Sequence, residues 1–194
     1  MKRSCGILLP ISSLPSPYGI GTLGQAAYDF ADFLAKAGQS WWQMLPVGHT
    51  SYGDSPYQCF STYAGNPYYV DLDLLVADGL LKQEEVDGAK WGEDPTKVDY
   101  ETIYNNRFLV LRLATERGWK RDLKEVSSFT EKNGHWLPDY ALFMALKAHF
   151  GMRAWTEWED EDIRLRRPDA LARYRELLQA DIQMYTCIQF LFFQ

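Results

Sequence analysis

The order of apolar and polar residues predicts a strand, a helix and a second strand at the start of the chain. The short apolar run at 5–9 is typical of a buried strand, and the run at 41–47 predicts a second strand. Between them, residues 22–38 repeat apolar side chains at helical spacing and end on a glycine. This predicts an amphipathic helix with Thr22 and Gln25 as its capping box. Since strand, helix and strand in succession build a parallel sheet, the pattern indicates an α/β fold.

After the second predicted strand the pattern becomes helical. Helices are predicted over 101–118, 122–134 and 138–151, and a last helix opens with a proline in its first turn and fills 166–194. The third of these is apolar nearly all round, which predicts that it is buried. We therefore interpret residues 71–165 as a mainly helical insertion.

The chain ends in a dense apolar run, "CIQFLFFQ" (187–194), without a cap, a glycine or a polar tail. Natural chain termini are usually exposed and polar. A helix that ends on four apolar side chains has most of its surface in need of a partner. We therefore expect the sequence to be the N-terminal piece of a longer protein.

The loops that follow the two predicted strands, 10–21 and 48–70, are both long and rich in glycine and proline. In barrels and open α/β sheets, the loops at this edge carry the ligand site. Six aromatic residues lie within 51–70. Because tyrosine offers a flat apolar face and a hydroxyl, such a loop suits a carbohydrate. For Phe60 and Tyr63 we expect packing in the core instead.

Composition and charge exclude several other classes of protein. The net charge is −6 and there is no run of lysine or arginine, so a nucleic acid or an anionic membrane is not an expected partner. The three cysteines lie far apart, without metal-ligand or disulfide spacing, which favours a reducing cytoplasm. The apolar run at the N-terminus is too short for a signal peptide, and no segment is expected to span a membrane.

A nucleotide-binding pattern, "GIGTLG" (19–24), opens the first predicted helix and suggests a dinucleotide-binding oxidoreductase as a rival interpretation. In a dinucleotide-binding unit the glycines follow the strand directly, and an acidic residue ends the second strand. Neither condition is met, so these glycines are expected to allow a turn and close packing. His49, His135 and His149 have no ligand partners at metal spacing, and we interpret them as surface or capped histidines.

Several segments, in this order and at this spacing, resemble one known family. They are "GILLPISSLPSPYGIGTLG", "WWQMLPVG", "SYGDSPYQCFSTYAGNPYYVDLDLL", "VDY", "DYALFMALK" and "QFLFFQ". They are similar to the N-terminal part of the amylomaltases, the bacterial 4-α-glucanotransferases or disproportionating enzymes. The resemblance covers essentially the whole chain, and the block that runs from "SYGDSPYQ" to "AGNPY" is its most specific part.

The resemblance implies a fold and a reaction. Family members form a (β/α)8 TIM barrel with helical insertions and move a glucan segment from one α-1,4-linked chain to another. The reaction retains configuration through a covalent glycosyl-enzyme, which requires paired carboxyl groups about 5 Å apart. The family's Asp nucleophile, Glu acid/base and second Asp follow later barrel strands. None has a match in residues 1–194, so no catalytic residue is expected here.

The same resemblance implies residues that contact the substrate. Ser55 and Tyr57 match positions that line the glucan cleft, and the residues between and before them match the turn that holds them. Tyr52 and Tyr104 match aromatic residues that form an outer glucan site in some members. For Asp54 the residues alone also allow a local turn that bonds backbone amides. The implied substrate-binding set is Tyr52, Gly53, Asp54, Ser55, Pro56, Tyr57 and Tyr104, with no metal and no cofactor.

These inferences combine into one prediction. The fold is α/β, an incomplete (β/α)8 barrel that contributes its first two strands, with residues 1–70 as the barrel start, 71–165 as the helical insertion and 166–194 as a helix that leads back. The function is that of a cytoplasmic 4-α-glucanotransferase that acts on malto-oligosaccharides or other α-glucans. The fragment alone is expected to be inactive, and its remaining partner is the rest of its own barrel. The alternative is a non-catalytic glucan-binding or scaffold fragment.

Overall fold

A computed structural model of the chain describes residues 3–51 and 53–194, so the ring of Tyr52 lies outside the described residues. The chain divides into two compact units. The first, called the N-terminal unit, holds Met1–Ala114 with Leu191–Gln194, and the second, called the helical unit, holds Thr115–Phe190. The finer division at residues 70 and 165 stays a prediction.

The N-terminal unit is organised around a two-stranded parallel sheet. Strand β1 (Gly6–Leu8) pairs with β2 (Trp41–Gln43), with Ile7 opposite Trp42. Helix α1 (Gln25–Lys36) connects them, so the predicted strand–helix–strand unit is confirmed. The predicted burial of the first strand is wrong, because Gly6–Leu8 are exposed; β2 is also largely exposed.

The start of α1 differs from the prediction. The hydroxyl of Thr22 donates to the carboxylate of Asp71 instead of capping the helix, and Gly24 stands at the N-cap without a side-chain hydrogen bond. The amide of Leu23 donates to the carbonyl of Tyr69 at 2.9 Å. The segment before α1 is therefore held by residues some fifty positions further along the chain, which a local capping motif does not reveal.

The core of the N-terminal unit is built from both loops as well as from helices. Its buried apolar cluster comes from the loop after β1, from α1, from the end of the loop after β2 and from a long helix. The members are Ile11, Leu14, Ile20, Ala27, Tyr68, Tyr69 and Ile103. Since the loops contribute core side chains, their backbone is fixed by packing.

The remaining elements of the chain are helical. In the N-terminal unit, short 3₁₀ turns cover Ile11–Ser13 and Pro67–Tyr69, followed by α2 (Leu72–Ala77) and α3 (Gln83–Asp87). Helix α4 (Tyr100–Arg121) begins in that unit. The helical unit contains α5 (Leu123–Lys132), α6 (Leu137–His149), a 3₁₀ turn at Trp155–Glu157, α7 (Glu161–Arg164), α8 (Pro168–Leu177) and all but the last two residues of α9 (Gln179–Phe192).

Two predictions for the helical unit can be compared with these helices. Helix α6 is buried over most of its length and has proline in its first turn, as its pattern predicted. The prediction of one continuous helix over 166–194 is wrong, because α8 ends at Leu177 and α9 starts at Gln179. Among the described residues, no helix is long and apolar enough to cross a membrane.

Candidate functional site

The loops after β1 and β2 meet around a cavity of about 150 Å³, here called the central pocket. Residues 10–12, directly after β1, form one wall, and Leu45, shortly after β2, contributes to another. Asp54 and Pro56 reach the pocket from the middle of the loop after β2. The carboxyl ends of the two parallel strands thus carry a cavity, at the edge where the sequence predicts a ligand site.

The loop that brings Asp54 to the pocket is a narrow excursion, residues 48–65, here called the long loop. Isolated antiparallel bridges join Gly48 to Gly65 and Thr50 to Cys59. The amide of Ser51 donates to the carbonyl of Gln58 at 2.9 Å, which closes the two arms near the tip. These pairings hold the arms together, so the tip is presented as a turn of defined shape.

The tip of the long loop uses left-handed backbone. Gly53 has φ of 90° and Asp54 has φ of 53°. Glycine adopts this region without steric cost, and aspartate tolerates it better than most residues. The amide of Asp54 donates to the carbonyl of Ser51, and the amide of Gln58 to that of Ser55, at 3.1 and 3.0 Å. The predicted turn is present, and it orients the Asp54 carboxyl toward the central pocket.

Burial raises the pKa of several titratable side chains that line the central pocket. Partial burial raises the pKa of Asp54, and the Thr50 side chain opposes that rise. Burial also raises the pKa of the phenols of Tyr68, Tyr69 and Tyr100, which line the same pocket. These hydroxyls therefore stay protonated near neutral pH. The pocket offers several neutral hydroxyl groups beside one acidic acceptor, a set that suits a hydroxylated ligand.

A second cavity, here called the aromatic groove, has a volume of about 520 Å³. The rings of Tyr57, Tyr63 and Phe193 line it, and Tyr57 is 73% exposed. Pro56 lines both this groove and the central pocket, so the two cavities adjoin. The prediction that Tyr63 packs in the core is wrong: its ring is 57% exposed and lines the groove.

Ser55 and Cys59 stabilise the turn that carries Tyr57. The hydroxyl of Ser55 accepts a hydrogen bond from the amide of Tyr57 at 3.4 Å. The thiol of Cys59 donates to the carbonyl of Pro56 at 3.1 Å. The turn therefore sets the direction of the Tyr57 ring, while its side chain remains open to solvent.

Tyr104 lies on α4 and not on the long loop. Its ring packs edge-on against Phe108 at 5.5 Å between centroids, and one part of the ring remains exposed. Phe108 in turn contacts Tyr68, whose ring lines the central pocket. The exposed position on a helix agrees with the sequence pattern, but a contact between Tyr104 and sugar stays a prediction.

His49 differs from the expectation of a surface or capped histidine. It is buried against Phe60, with ring centroids 5.3 Å apart, and near Phe108 at 6.2 Å. Burial lowers the pKa of His49 to about 3. The imidazole is therefore neutral at physiological pH and serves as part of the support of the long loop.

Several residues that build the site carry no sequence signal strong enough to single them out. Asn66 lines the central pocket and caps the Pro67–Tyr69 turn by accepting from the amide of Tyr68 at 3.0 Å. Arg107 on α4 is fully buried and donates to the carbonyls of Pro67 and Val70. An asparagine before a proline does indicate a turn, whereas nothing in an amphipathic helix marks one arginine as buried.

The geometry argues against the dinucleotide interpretation of "GIGTLG". A Cβ built on Gly24 would lie 1.9 Å from Oδ2 of Asp71, so a carboxylate stands against the residue that opens α1. A pyrophosphate needs that helix N-terminus for itself, and the carboxylate would repel it. Across residues 3–51 and 53–194, no group of three His, Cys, Asp or Glu side chains is arranged to hold a metal ion.

Comparison with known proteins gives the chain its family. A family model described as 4-alpha-glucanotransferase matches residues 9–194. The chain belongs to the 4-alpha-glucanotransferase family. The predicted resemblance is thereby confirmed.

Individual 4-alpha-glucanotransferases are similar over the whole chain. The one from Streptococcus pneumoniae serotype 4 is 47% identical over 194 residues, which are 100% of this chain and 38% of the relative. The one from Thermus thermophilus is 40% identical and covers the same two shares. The chain therefore spans less than half the length of the curated relatives that it matches.

A solved relative has the same fold over nearly the whole chain. The structure of amylomaltase from Streptococcus agalactiae in complex with acarbose superposes with a TM-score of 0.95 at 42% identity. The match covers 99% of this chain and 39% of that one. The two-stranded sheet and the helices described above thus correspond to part of an amylomaltase.

Proposed function

We propose that the chain forms the glucan-binding wall of a 4-α-glucanotransferase. The whole enzyme would transfer α-1,4-glucan segments between malto-oligosaccharides, with retention of configuration, through a covalent glycosyl-enzyme. One observation carries the proposal: in a chain of this family, the long loop presents Asp54 to a pocket and an exposed Tyr57 to an adjoining groove.

The residues suit an α-glucan for physical reasons. A glucosyl ring has an apolar C–H face, which the exposed ring of Tyr57 can cover, and a rim of hydroxyls. Asp54 supplies a strong acceptor for those hydroxyls, and the protonated phenol of Tyr100 supplies a donor. In this proposal Gly53, Ser55 and Pro56 shape the turn, and Tyr104 and Tyr52 belong to an outer glucan site.

In this proposal the bond-breaking acids come from another part of the enzyme. A retaining mechanism needs two carboxyl groups about 5 Å apart across the glycosidic bond. Among the described residues that line the central pocket, Asp54 is the one carboxyl group. The exposed apolar surface of β1 and β2 supports further strands as the neighbours of this sheet in a complete barrel.

The proposal includes a cytoplasmic location and no organic cofactor. All three cysteines are free, and they are spread over exposed, half-buried and buried positions. Free thiols persist in a reducing compartment, which supports the cytoplasm. The division into a barrel start at 1–70, an insertion at 71–165 and a returning helix at 166–194 remains part of the proposal.

Binding of maltoheptaose by the purified 194-residue chain tests this function. We expect titration calorimetry to detect binding, with cellohexaose as the control sugar. We expect Tyr57→Ala to weaken binding about tenfold, because the sugar loses a stacking face. Tyr28→Ala is the matched control, because Tyr28 is also an exposed tyrosine, 60% accessible, but lies on α1.

Two results would overturn the proposal. One is the absence of any maltoheptaose binding by the folded chain, with folding checked by circular dichroism. The other is equal affinity for the Tyr57→Ala and Tyr28→Ala variants, which would show that the long loop does not contact the sugar.

A further inference from the structure

A third cavity in the N-terminal unit, of about 510 Å³, is not used by the proposed site. It lies between the loop after β1, residues 12–21 without Tyr18, and the segment 91–98, and is here called the loop chamber. Its volume is within the range of known small-molecule sites. The glycines of the "GIGTLG" pattern, Gly19 and Gly21, form part of its wall.

The loop chamber adjoins the central pocket. Ser12 and Ile20 line both cavities, just as Pro56 lines both the central pocket and the aromatic groove. The central pocket therefore shares lining residues with a cavity on the side of the loop after β1 and with a cavity on the side of the long loop.

The polar groups of the loop chamber suit a neutral hydroxylated ligand. The segment 91–98 contributes Glu93 and Asp94 against one cation, Lys97, so the charge disfavours a phosphate. Asp94 is engaged by the amide and hydroxyl of Thr96, at 2.9 and 2.6 Å. The side chains of Glu93 and Ser13 are exposed and line the loop chamber, so they can bond sugar hydroxyls.

The walls of the loop chamber are held in place before any ligand binds. The indole of Trp91 donates to the carbonyl of Val86 at 3.1 Å, and its ring packs edge-on against Tyr18. The two walls touch at Gly19, where a Cβ would lie 2.0 Å from the carbonyl oxygen of Trp91. Binding to a preformed cavity costs less conformational entropy than binding to a site whose walls must first become ordered.

We propose that the loop chamber is an extension of the glucan site that binds additional glucosyl units of a long chain. This inference rests on the proposed function. A glucan that occupies the central pocket would continue past the half-buried Ser12 and place its next units beside the exposed Ser13 and Glu93. The loop chamber then determines how strongly long α-glucans are preferred over short ones.

The test measures dissociation constants of the 194-residue chain for maltotriose and for maltoheptaose by titration calorimetry. The quantity compared is the ratio of the two constants. We expect the unmodified chain to bind maltoheptaose at least about tenfold more tightly. Ser13→Trp, which fills the loop chamber, and Glu93→Ala, which removes its free acceptor, are expected to bring this ratio close to one.

Matched controls keep the interpretation specific. Glu84→Ala removes an exposed glutamate from α3, and Ser128→Trp adds a bulky ring on α5; both are expected to leave the ratio unchanged. If Ser13→Trp fails to fold, Glu93→Ala decides, because it is a small change on the surface. Thermal unfolding of every variant identifies those that are folded.

The outcomes separate the two proposals. Loss of length preference in the loop-chamber variants alone supports the extension. An unchanged preference for maltoheptaose in a folded Glu93→Ala variant, or equal binding of both sugars by the unmodified chain, overturns the extension. Neither result contradicts glucan binding at the central pocket. Binding of neither sugar overturns the proposed function and the extension together.

Discussion

At the residue scale, the tip of the long loop shows how the burial of one carboxyl group affects its ionisation and the stability of the fold. Asp54 lies in left-handed backbone next to Gly53 and points into the central pocket. Partial burial there raises the pKa of its carboxyl group. The folded chain therefore binds this proton more tightly than the unfolded chain does, so ionisation of Asp54 acts against folding.

Asp54→Asn tests this linkage. Since the folded pKa lies above the unfolded value of 3.8, stability is lost as the pH rises from that value through the folded pKa. We expect the asparagine variant to be more stable than the unmodified chain at pH 7, and the difference to vanish below pH 3.8. Asparagine also tolerates left-handed backbone, so the turn is kept. Urea unfolding at a series of pH values measures the effect.

The control for this prediction is Asp32→Asn, at an exposed position of α1. Its effect on the free energy of unfolding is expected to be small at every pH. An Asp54→Asn variant that is less stable at pH 7 than at pH 3 relative to the unmodified chain would contradict the assignment.

Residue-level burial was the least predictable feature of the site. His49 sits in a glycine-rich stretch that indicates a surface loop, yet it is buried by Phe60 and by Phe108 of α4. Tyr63 lies in the same loop and is exposed. The sequence pattern of a loop does not say which of its rings another element covers, because the covering element is distant in the chain.

At the element scale, strand, helix and strand follow from local patterns, whereas their junctions do not. The period of the apolar residues identified β1, α1 and β2, because each element is determined by its own side chains. The start of α1 is different. Thr22 bonds Asp71, 49 positions away, and a local motif cannot contain that partner.

Gly24→Ala tests the junction between α1 and the N-terminus of α2. An added Cβ would lie 1.9 Å from Oδ2 of Asp71, so the carboxylate and its bond with Thr22 must move. We expect a loss of about 1–3 kcal/mol in the free energy of unfolding, as for other overpacked sites. Urea denaturation followed by circular dichroism measures it.

The neighbouring position provides the comparison. Gln25→Ala truncates an exposed side chain at the first position of α1 and is expected to change the stability by less than about 0.5 kcal/mol. Equal stability of the two variants would show that Asp71 does not restrict the start of α1.

At the scale of the whole molecule, the sequence allowed the family and the sheet edge to be predicted, and left the arrangement of the cavities undetermined. The motif block of the long loop carried the family assignment, which the match over residues 9–194 confirms. That the central pocket shares walls with two larger cavities depends on contacts between distant loops. No single segment of the sequence contains that information.

The whole chain is expected to bind glucan without transferring it. Residues 1–194 should release no glucose from maltotriose in a disproportionation assay, because the proposal places no catalytic pair of carboxyl groups in them. The full-length relative from Streptococcus pneumoniae, 47% identical, serves as the positive control. Glucose release by the purified chain above a blank would refute the proposal that the catalytic carboxyl groups lie outside residues 1–194.

The base and the tip of the long loop both require glycine, for different physical reasons. At its base, a side chain at Gly48 would meet the thiol of Cys59 and one at Gly65 would meet the ring of Phe192. At its tip, a side chain at Gly53 would have no atom within 4 Å, but the backbone there has φ of 90°, which strains every residue except glycine. Packing therefore restricts the base of the long loop and backbone conformation restricts its tip, so a substitution at either place must reshape the turn that carries Asp54.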